Sequence, residues 1–160
     1  AEMARDAGIS CEGEIGFVGY ANGDNSTGTD LDEAARFARD SGVDAMAISC
    51  GNVHLQEDKQ GGLDVARIKA IEAVTDLPLV IHGGSGVPVA QRMQLAAESR
   101  ICKFNIGTEL RMAFGQALRA AVTADATRFD RVQILRETAD PVKAAAMRVL
   151  TAFGAPDLRT

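Results

Sequence analysis

Residues 77–88 read LPLVIHGGSGVP, and the order of residue types in this stretch decides the fold. A short apolar run, LPLVI, ends in His82. It has the length of a strand and no polar alternation, as in a parallel strand covered on both faces. Gly83, Gly84, Ser85 and Gly86 follow, all without bulk, so backbone N–H groups there can approach an anion closely. Pro88 then carries the fixed φ of a first helical turn. The stretch predicts one strand–loop–helix unit with polar chemistry at the C-terminal end of the strand.

The same unit recurs on both sides. Residues 11–18 (CEGEIGFV), 45–50 (AMAISC) and 101–106 (ICKFNI) predict three further strands. Between them lie amphipathic stretches. Thr29 or Asp30 can cap a helix running to about Asp40, with Gly42 as its stop, and residues 62–74 carry Val65, Ile68 and Ile71 at near-helical spacing. Pro88 opens a helix with Val89, Met93, Ala96 and Ala97 on one face, and Leu110, Ala113, Phe114, Ala117, Leu118 and Ala121 form another stripe. Asp140-Pro141 is expected to open a last helix. Strand and helix thus alternate four times, with one extra helix at the end, which predicts an α/β protein with a parallel sheet. An open doubly wound sheet and half of a (β/α)8 barrel both satisfy this order. A whole barrel needs about 250 residues, against 160 in this chain. Residues 1–7 read like the last turns of a helix that Gly8 terminates, with no initiator Met, so further sequence is expected ahead of residue 1.

Composition narrows the class. A net charge of −5 with 17 scattered Lys and Arg argues against nucleic acid as the main partner. No apolar run of about 18 residues marks a membrane span, and no signal peptide is legible, so a cytoplasmic protein is expected. Cys11, Cys50 and Cys102 are unevenly spaced, lack a CxxC pattern and lie in or beside strand-like segments, which predicts buried free thiols.

The polar residues gather at strand ends, where α/β folds place their chemistry. His54 lies just past the second strand and His82 at the end of the third; the chain has no other histidine. Two imidazoles at neighbouring strand ends can converge on one metal ion, although a zinc site usually takes three protein ligands. A hydrogen-bonded or substrate-contacting role is the other reading. Glu12 and Glu14 share one face of the first strand, and carboxylates facing an interior are costly unless paired or metal-bound. Asn105, Ile106, Gly107 and Thr108 form a second small loop before a helix that Thr108 can cap. Two adjacent nests on the last two strands predict a phosphate ligand. The absence of GxxxxGK[ST] and of GxGxxG excludes the common nucleotide loops. Lys103 has two readings: a Schiff-base nucleophile, or an ion-pair partner of an interior carboxylate, Glu14 or Glu109.

Taken together, EGEIG, AISCGNVH, LPLVIHGGSGVP and ICKFNIGTELRMAF resemble the class II, metal-dependent fructose-bisphosphate and tagatose-bisphosphate aldolases, collinearly from about residue 1 to residue 155. The resemblance implies a (β/α)8 TIM barrel. Residues 1–160 would be the C-terminal half of that single domain, supplying its last four βα units and a C-terminal helix, with the N-terminal half absent. It implies a catalytic divalent ion, zinc above others, on three histidines, of which two fall on His54 and His82. The third accompanies the principal catalytic aspartate in a DH motif that this chain lacks. Glu14 falls on a secondary metal position, which allows for an additional monovalent or second divalent cation. Gly83, Gly84 and Ser85 would hold the phosphate of dihydroxyacetone phosphate, completed by Asn105, Ile106, Gly107 and Thr108.

The reaction so implied is aldol cleavage or condensation of a phosphorylated ketose, with Lewis-acid activation of the ketone and a carboxylate for proton transfer. Asp24 is the sole acidic residue of residues 19–28, GYANGDNSTG, and is the candidate for that transfer within this chain. Two positions depart from the family pattern: Leu55 where glycine is common, and Gly107 where fructose-type enzymes often carry aspartate. They keep open a different keto-sugar phosphate as substrate, or a non-catalytic phosphosugar-binding relative. The resemblance further implies a cytoplasmic homo-oligomer, dimer or tetramer, in carbohydrate metabolism such as glycolysis. The 160-residue chain alone is expected to be inactive.

Overall fold

The computed structural model describes residues 1–16, 28–51 and 62–153. Four strands, β1 (Glu12–Glu14), β2 (Ala45–Ile48), β3 (Leu79–Ile81) and β4 (Ile101–Phe104), form one parallel sheet in the order β1-β2-β3-β4. The helices are α1 (Glu2–Asp6), α2 (Leu31–Asp40), α3 (Val65–Val74), α4 (Val89–Glu98), α5 (Thr108–Ala124) and α6 (Arg131–Ala152), with a single 3-10 turn at Gly84–Gly86. The predicted α/β class with repeated strand–helix units is therefore what the chain adopts. The contacts divide into two compact units, Ala1–Ile106 and Gly107–Thr160; the first holds the sheet and α1 to α4, the second the packed pair α5 and α6. None of the described helices is long and apolar enough to cross a membrane.

Local chemistry sets the helix ends. The Asp30 carboxylate accepts from the backbone N–H groups of Asp32 and Glu33, each at 3.0 Å, so Asp30 rather than Thr29 caps α2. Gly42 takes φ +66° just past its end, as a helix-stopping glycine must. Asp64 accepts from Arg67 N–H at 2.9 Å and starts α3 at Val65, three residues later than the apolar spacing suggested. Pro88 caps α4 instead of occupying its first turn, because Gly84–Gly86 already coil ahead of it. Thr108 is the first helical residue of α5 and Gly107 its cap, so the expected threonine cap is corrected. The last helix is also corrected: it opens at Arg131, where Asp130 accepts from Val132 N–H at 2.8 Å, and runs through Pro141. Proline removes one intrahelical bond, and a helix of 22 residues carries that loss within its length.

The core lies between the sheet and its helices. Met46, Ile48, Leu79, Ile81 and Ile101 point to one face and are buried against Ala34, Ile68, Ile71 and Leu95. Gly13 stands in register with Met46 on that face, and a Cβ there would lie 2.6 Å from the Phe37 ring, so only glycine lets α2 come so close.

The opposite face follows from the register. Glu12 pairs with Ala45, Glu14 with Ala47, Ala47 with Val80, and Val80 with Lys103. Leu79, however, pairs with Ile101, so Cys102 is an extra residue between two ladder steps, a β-bulge. Without the bulge, alternation would set Cys102 opposite Val80 and send Lys103 to the helix side. The bulge also corrects the cysteine expectation. Cys50 is buried, Cys11 half-buried and Cys102 exposed, its Sγ 3.5 Å from the Leu79 carbonyl oxygen.

Candidate active site

Four polar side chains meet on the face turned away from the helices. Lys103 Nζ donates to Glu12 Oε2 at 2.7 Å. Glu12 Oε1 stands 3.6 Å from His82 Nε2, and Glu14 Oε1 stands 3.7 Å from His82 Nδ1. His82 follows β3 directly and lies two residues beyond Val80, hence on the same face. Glu12 and Lys103 sit on the two outer strands of the sheet. In a flat sheet those strands would be about 14 Å apart, at about 4.8 Å per step. Contact between their side chains at 2.7 Å therefore requires a curved sheet with this face concave. Small side chains underneath make room: Ala47 and Val80 form the floor and are fully buried. The pairing expected for Lys103 with Glu14 or Glu109 is corrected to Glu12, because the bulge and the curvature bring that carboxylate within reach.

The glycine loop after β3 is fastened to the end of β4. Gly83 adopts φ +63°, and Gly84–Gly86 are buried. Asn105 N–H donates to the Ile81 carbonyl oxygen at 2.9 Å, and Gly84 N–H donates to that of Asn105 at 3.1 Å. A Cβ on Gly84 would lie 3.1 Å from Ile106 Cδ1, so any side chain there would have to push that methyl aside by a few tenths of an ångström. Gly83, Gly84, Ser85, Asn105 and Ile106 are thus brought together beside His82. Gly107 and Thr108 begin the second unit, where the Gly107 carbonyl accepts from Arg111 N–H at 3.0 Å as the first bond of α5. His54, Leu55 and Asp24 lie outside the described residues.

Three residues with no special signal in the sequence hold the strand-end loops. Thr29 is buried; its N–H donates to the Ser49 carbonyl at 2.8 Å and its hydroxyl to the Ile15 carbonyl at 3.1 Å, while that hydroxyl accepts from Ser49 N–H at 2.9 Å. Arg67 Nη1 donates to the Thr29 carbonyl at 2.9 Å. The Gln91 amide brackets Leu63, accepting from its N–H at 2.8 Å and donating to its carbonyl at 2.9 Å. Threonine reads as a cap or a strand residue, and a glutamine on a helix reads as surface, so neither pattern announces these roles. The Cys50 thiol is pushed up to about 12, chiefly by burial and further by the Asp64 carboxylate, against a smaller opposing effect of Arg67. It is a neutral thiol, not a thiolate, at neutral pH.

Donor chemistry tests the implied metal. Among the described residues no group of three His, Cys, Asp or Glu side chains is gathered as a complete ion site. His82 and Glu14 do present an imidazole nitrogen and a carboxylate oxygen 3.7 Å apart. Two donors about 2.1 Å from one tetrahedral ion stand about 3.4 Å apart. These two residues therefore fit part of a divalent-ion site.

Known proteins resemble this chain along most of its length. The family model described as "Fructose-bisphosphate aldolase class-II" matches residues 1–157. The chain is 31% identical over 157 residues to fructose-bisphosphate aldolase of Geobacillus stearothermophilus, covering 96% of this chain and 54% of that protein. It is 34% identical over 150 residues to 6-phospho-5-dehydro-2-deoxy-D-gluconate aldolase of Shouchella clausii, covering 92% and 51%. Among solved structures, the YdjI aldolase of Escherichia coli K12 superposes with a TM-score of 0.69 at 29% identity, over 98% of this chain and 52% of that one. A crystal structure of a protein from Coccidioides immitis shares the fold at a TM-score of 0.74 and 19% identity, over 98% of this chain and 57% of that one. The chain spans about half the length of the relatives it matches. The match along almost the whole chain assigns it: this chain belongs to the class-II fructose-bisphosphate aldolase family.

Proposed function

We propose that the protein containing this chain catalyses reversible aldol cleavage of a phosphorylated ketose to dihydroxyacetone phosphate and an aldehyde, fructose 1,6-bisphosphate being the first substrate to test. One observation carries this reading. His82 and Glu14, donors suited to a divalent ion, stand on the concave face directly beside the glycine loop that Asn105 fastens. A ketose phosphate held by its phosphate at that loop would lie with its carbonyl toward His82.

In this reading Gly83, Gly84 and Ser85, with Asn105, Ile106, Gly107 and Thr108, bind the phosphate through N–H groups and small side chains. This grip is remote from the reacting carbons and orients the substrate without changing as the bond breaks. His54 and His82 hold the ion, most simply zinc, together with a ligand from beyond this chain, and Glu14 offers a secondary position. The ion supplies a Lewis acid for the ketone oxygen. Asp24 is the candidate within this chain for proton transfer, beside a principal acidic residue in the rest of the barrel. The chain then forms the C-terminal half of one (β/α)8 barrel. By itself it is inactive, lacking part of the metal site. A cytoplasmic homo-oligomer completes the proposal.

The relatives named for a sugar bisphosphate and for a sugar-acid phosphate are similarly identical to this chain, so substrate choice rests with assay. The intact protein should be incubated with fructose 1,6-bisphosphate, tagatose 1,6-bisphosphate and 6-phospho-5-dehydro-2-deoxy-D-gluconate, with and without a chelator. Cleavage of at least one, abolished by chelation and restored by zinc, is expected. Binding of these compounds without cleavage of any would sink the enzymatic reading and leave a phosphosugar-binding protein.

A further inference from the structure

The metal reading of His82 assigns no role to Glu12 or Lys103, yet both touch the same cluster. Lys103 reaches it only because Cys102 bulges out of the β4 ladder. A bulge leaves backbone groups out of register and is retained where it re-aims a side chain. The side chain re-aimed here is Lys103, and its target is Glu12 Oε2 at 2.7 Å. With that oxygen held, the other, Oε1, faces His82 Nε2 at 3.6 Å. This is about 0.7 Å longer than a typical N–H···O hydrogen bond. Catalytic hydrogen bonds are often that long before ligands bind.

The two carboxylates beside the imidazole differ. Glu12 is neutralised by Lys103. Glu14, on the Nδ1 side, has no Lys or Arg within ion-pair distance among the described residues. The imidazole therefore lies between an anchored, compensated carboxylate and an uncompensated one. A ring that binds a metal through one nitrogen usually donates its other N–H to such an anchored acceptor, which fixes its tautomer and orientation.

We propose that Lys103 and Glu12 are a positioning pair: Lys103 anchors Glu12, and Glu12 takes the Nε2–H of His82, so that Nδ1 is offered to the ion on the Glu14 side. The pairing rests on the metal reading of His82. It adds two residues to that site and names the ligand atom.

The test is zinc affinity of the intact, metal-free protein, measured by competition with a chromophoric chelator and set beside binding of inorganic phosphate and the thermal midpoint of the apo form. Lys103→Met and Glu12→Gln should each weaken zinc binding by about tenfold or more, the usual cost of losing such a partner. Phosphate binding should stay unchanged. The double variant should be no weaker than either single variant, because one chain of contacts has been cut twice. Lys103→Arg, which keeps the charge and a donor, should retain most of the affinity. Should Lys103→Met fail to fold, Glu12→Gln and Lys103→Arg carry the same comparison. Unchanged zinc affinity in these variants, or losses that simply add, would overturn the pairing while leaving the metal reading intact. Absence of zinc binding by the unsubstituted protein would overturn both.

Discussion

Cys50 ends the β2 segment with its side chain fully buried, and the Asp64 N–H donates to its carbonyl at 2.9 Å. The folded thiol keeps its proton to about 12, whereas the unfolded chain loses it near 9.0. At pH 8 only on the order of one folded molecule in ten thousand carries the thiolate, the reactive form. Iodoacetamide at pH 8 should therefore modify the exposed Cys102 first and reach Cys50 only in denaturant; peptide mass mapping of the labelled protein checks this. The sign of the pH effect is fixed as well. Between about 9 and about 12 the folded state holds a proton that the unfolded state has released, so this thiol makes stability fall as pH rises through that window. The residue scale was partly legible in the sequence. Alternation alone set Glu12 and Glu14 on one face and His82 at a strand end. The partner of Lys103 was not legible, because one extra residue in β4 inverts the facing of the residues after it and leaves no compositional mark.

The elements were legible where capping chemistry is local. Asp30 before α2 and Gly42 after it bound that helix as the residue types demand. Boundaries failed where the residues offered two local caps. The cap of α6 is Asp130, ten residues ahead of Asp140, and the helix then runs on through Pro141. The adjacent residues Thr29 and Asp30 separate the two kinds of contribution. Asp30→Ala removes two exposed capping bonds and should cost about 1 kcal/mol. Thr29→Val keeps the shape of the side chain but removes one buried and one part-buried bond that tie the ends of β1 and β2 together. It should cost more, about 2–3 kcal/mol, with Thr29→Ser recovering most of the loss. Urea denaturation of the three variants tests the order. A larger loss for the cap than for the buried hydroxyl would mean that Thr29 does not hold the strand ends.

At the scale of the molecule, curvature is what turns a sheet into a site. Glu12 and Lys103 belong to the outer strands, and each of those strands has one hydrogen-bonded neighbour among the described residues. Each outer strand thus presents an open parallel edge, and between them lies a concave polar face whose side chains keep substantial exposure: 48% for Glu14 and 51% for Lys103. Open edges pair with whatever strand they meet unless something blocks them. β4 has a bulge and a lysine near its edge, two features that blunt pairing; β1 is blunted only by its three-residue length and its two inward-pointing glutamates, with no bulge or proline. The 160-residue chain alone should therefore self-associate, chiefly through β1. Sedimentation velocity at rising concentration should show a growing share of species heavier than 16.8 kDa. The Ile15 N–H donates inward to the Ala47 carbonyl at 3.0 Å, so alternation along the strand turns the Glu14 N–H to the open edge, and proline at Glu14 removes that outward donor. Glu14→Pro should shift the population back toward monomer. A single monomeric species across the range, with or without the proline, would show that the open edge of β1 does not drive association.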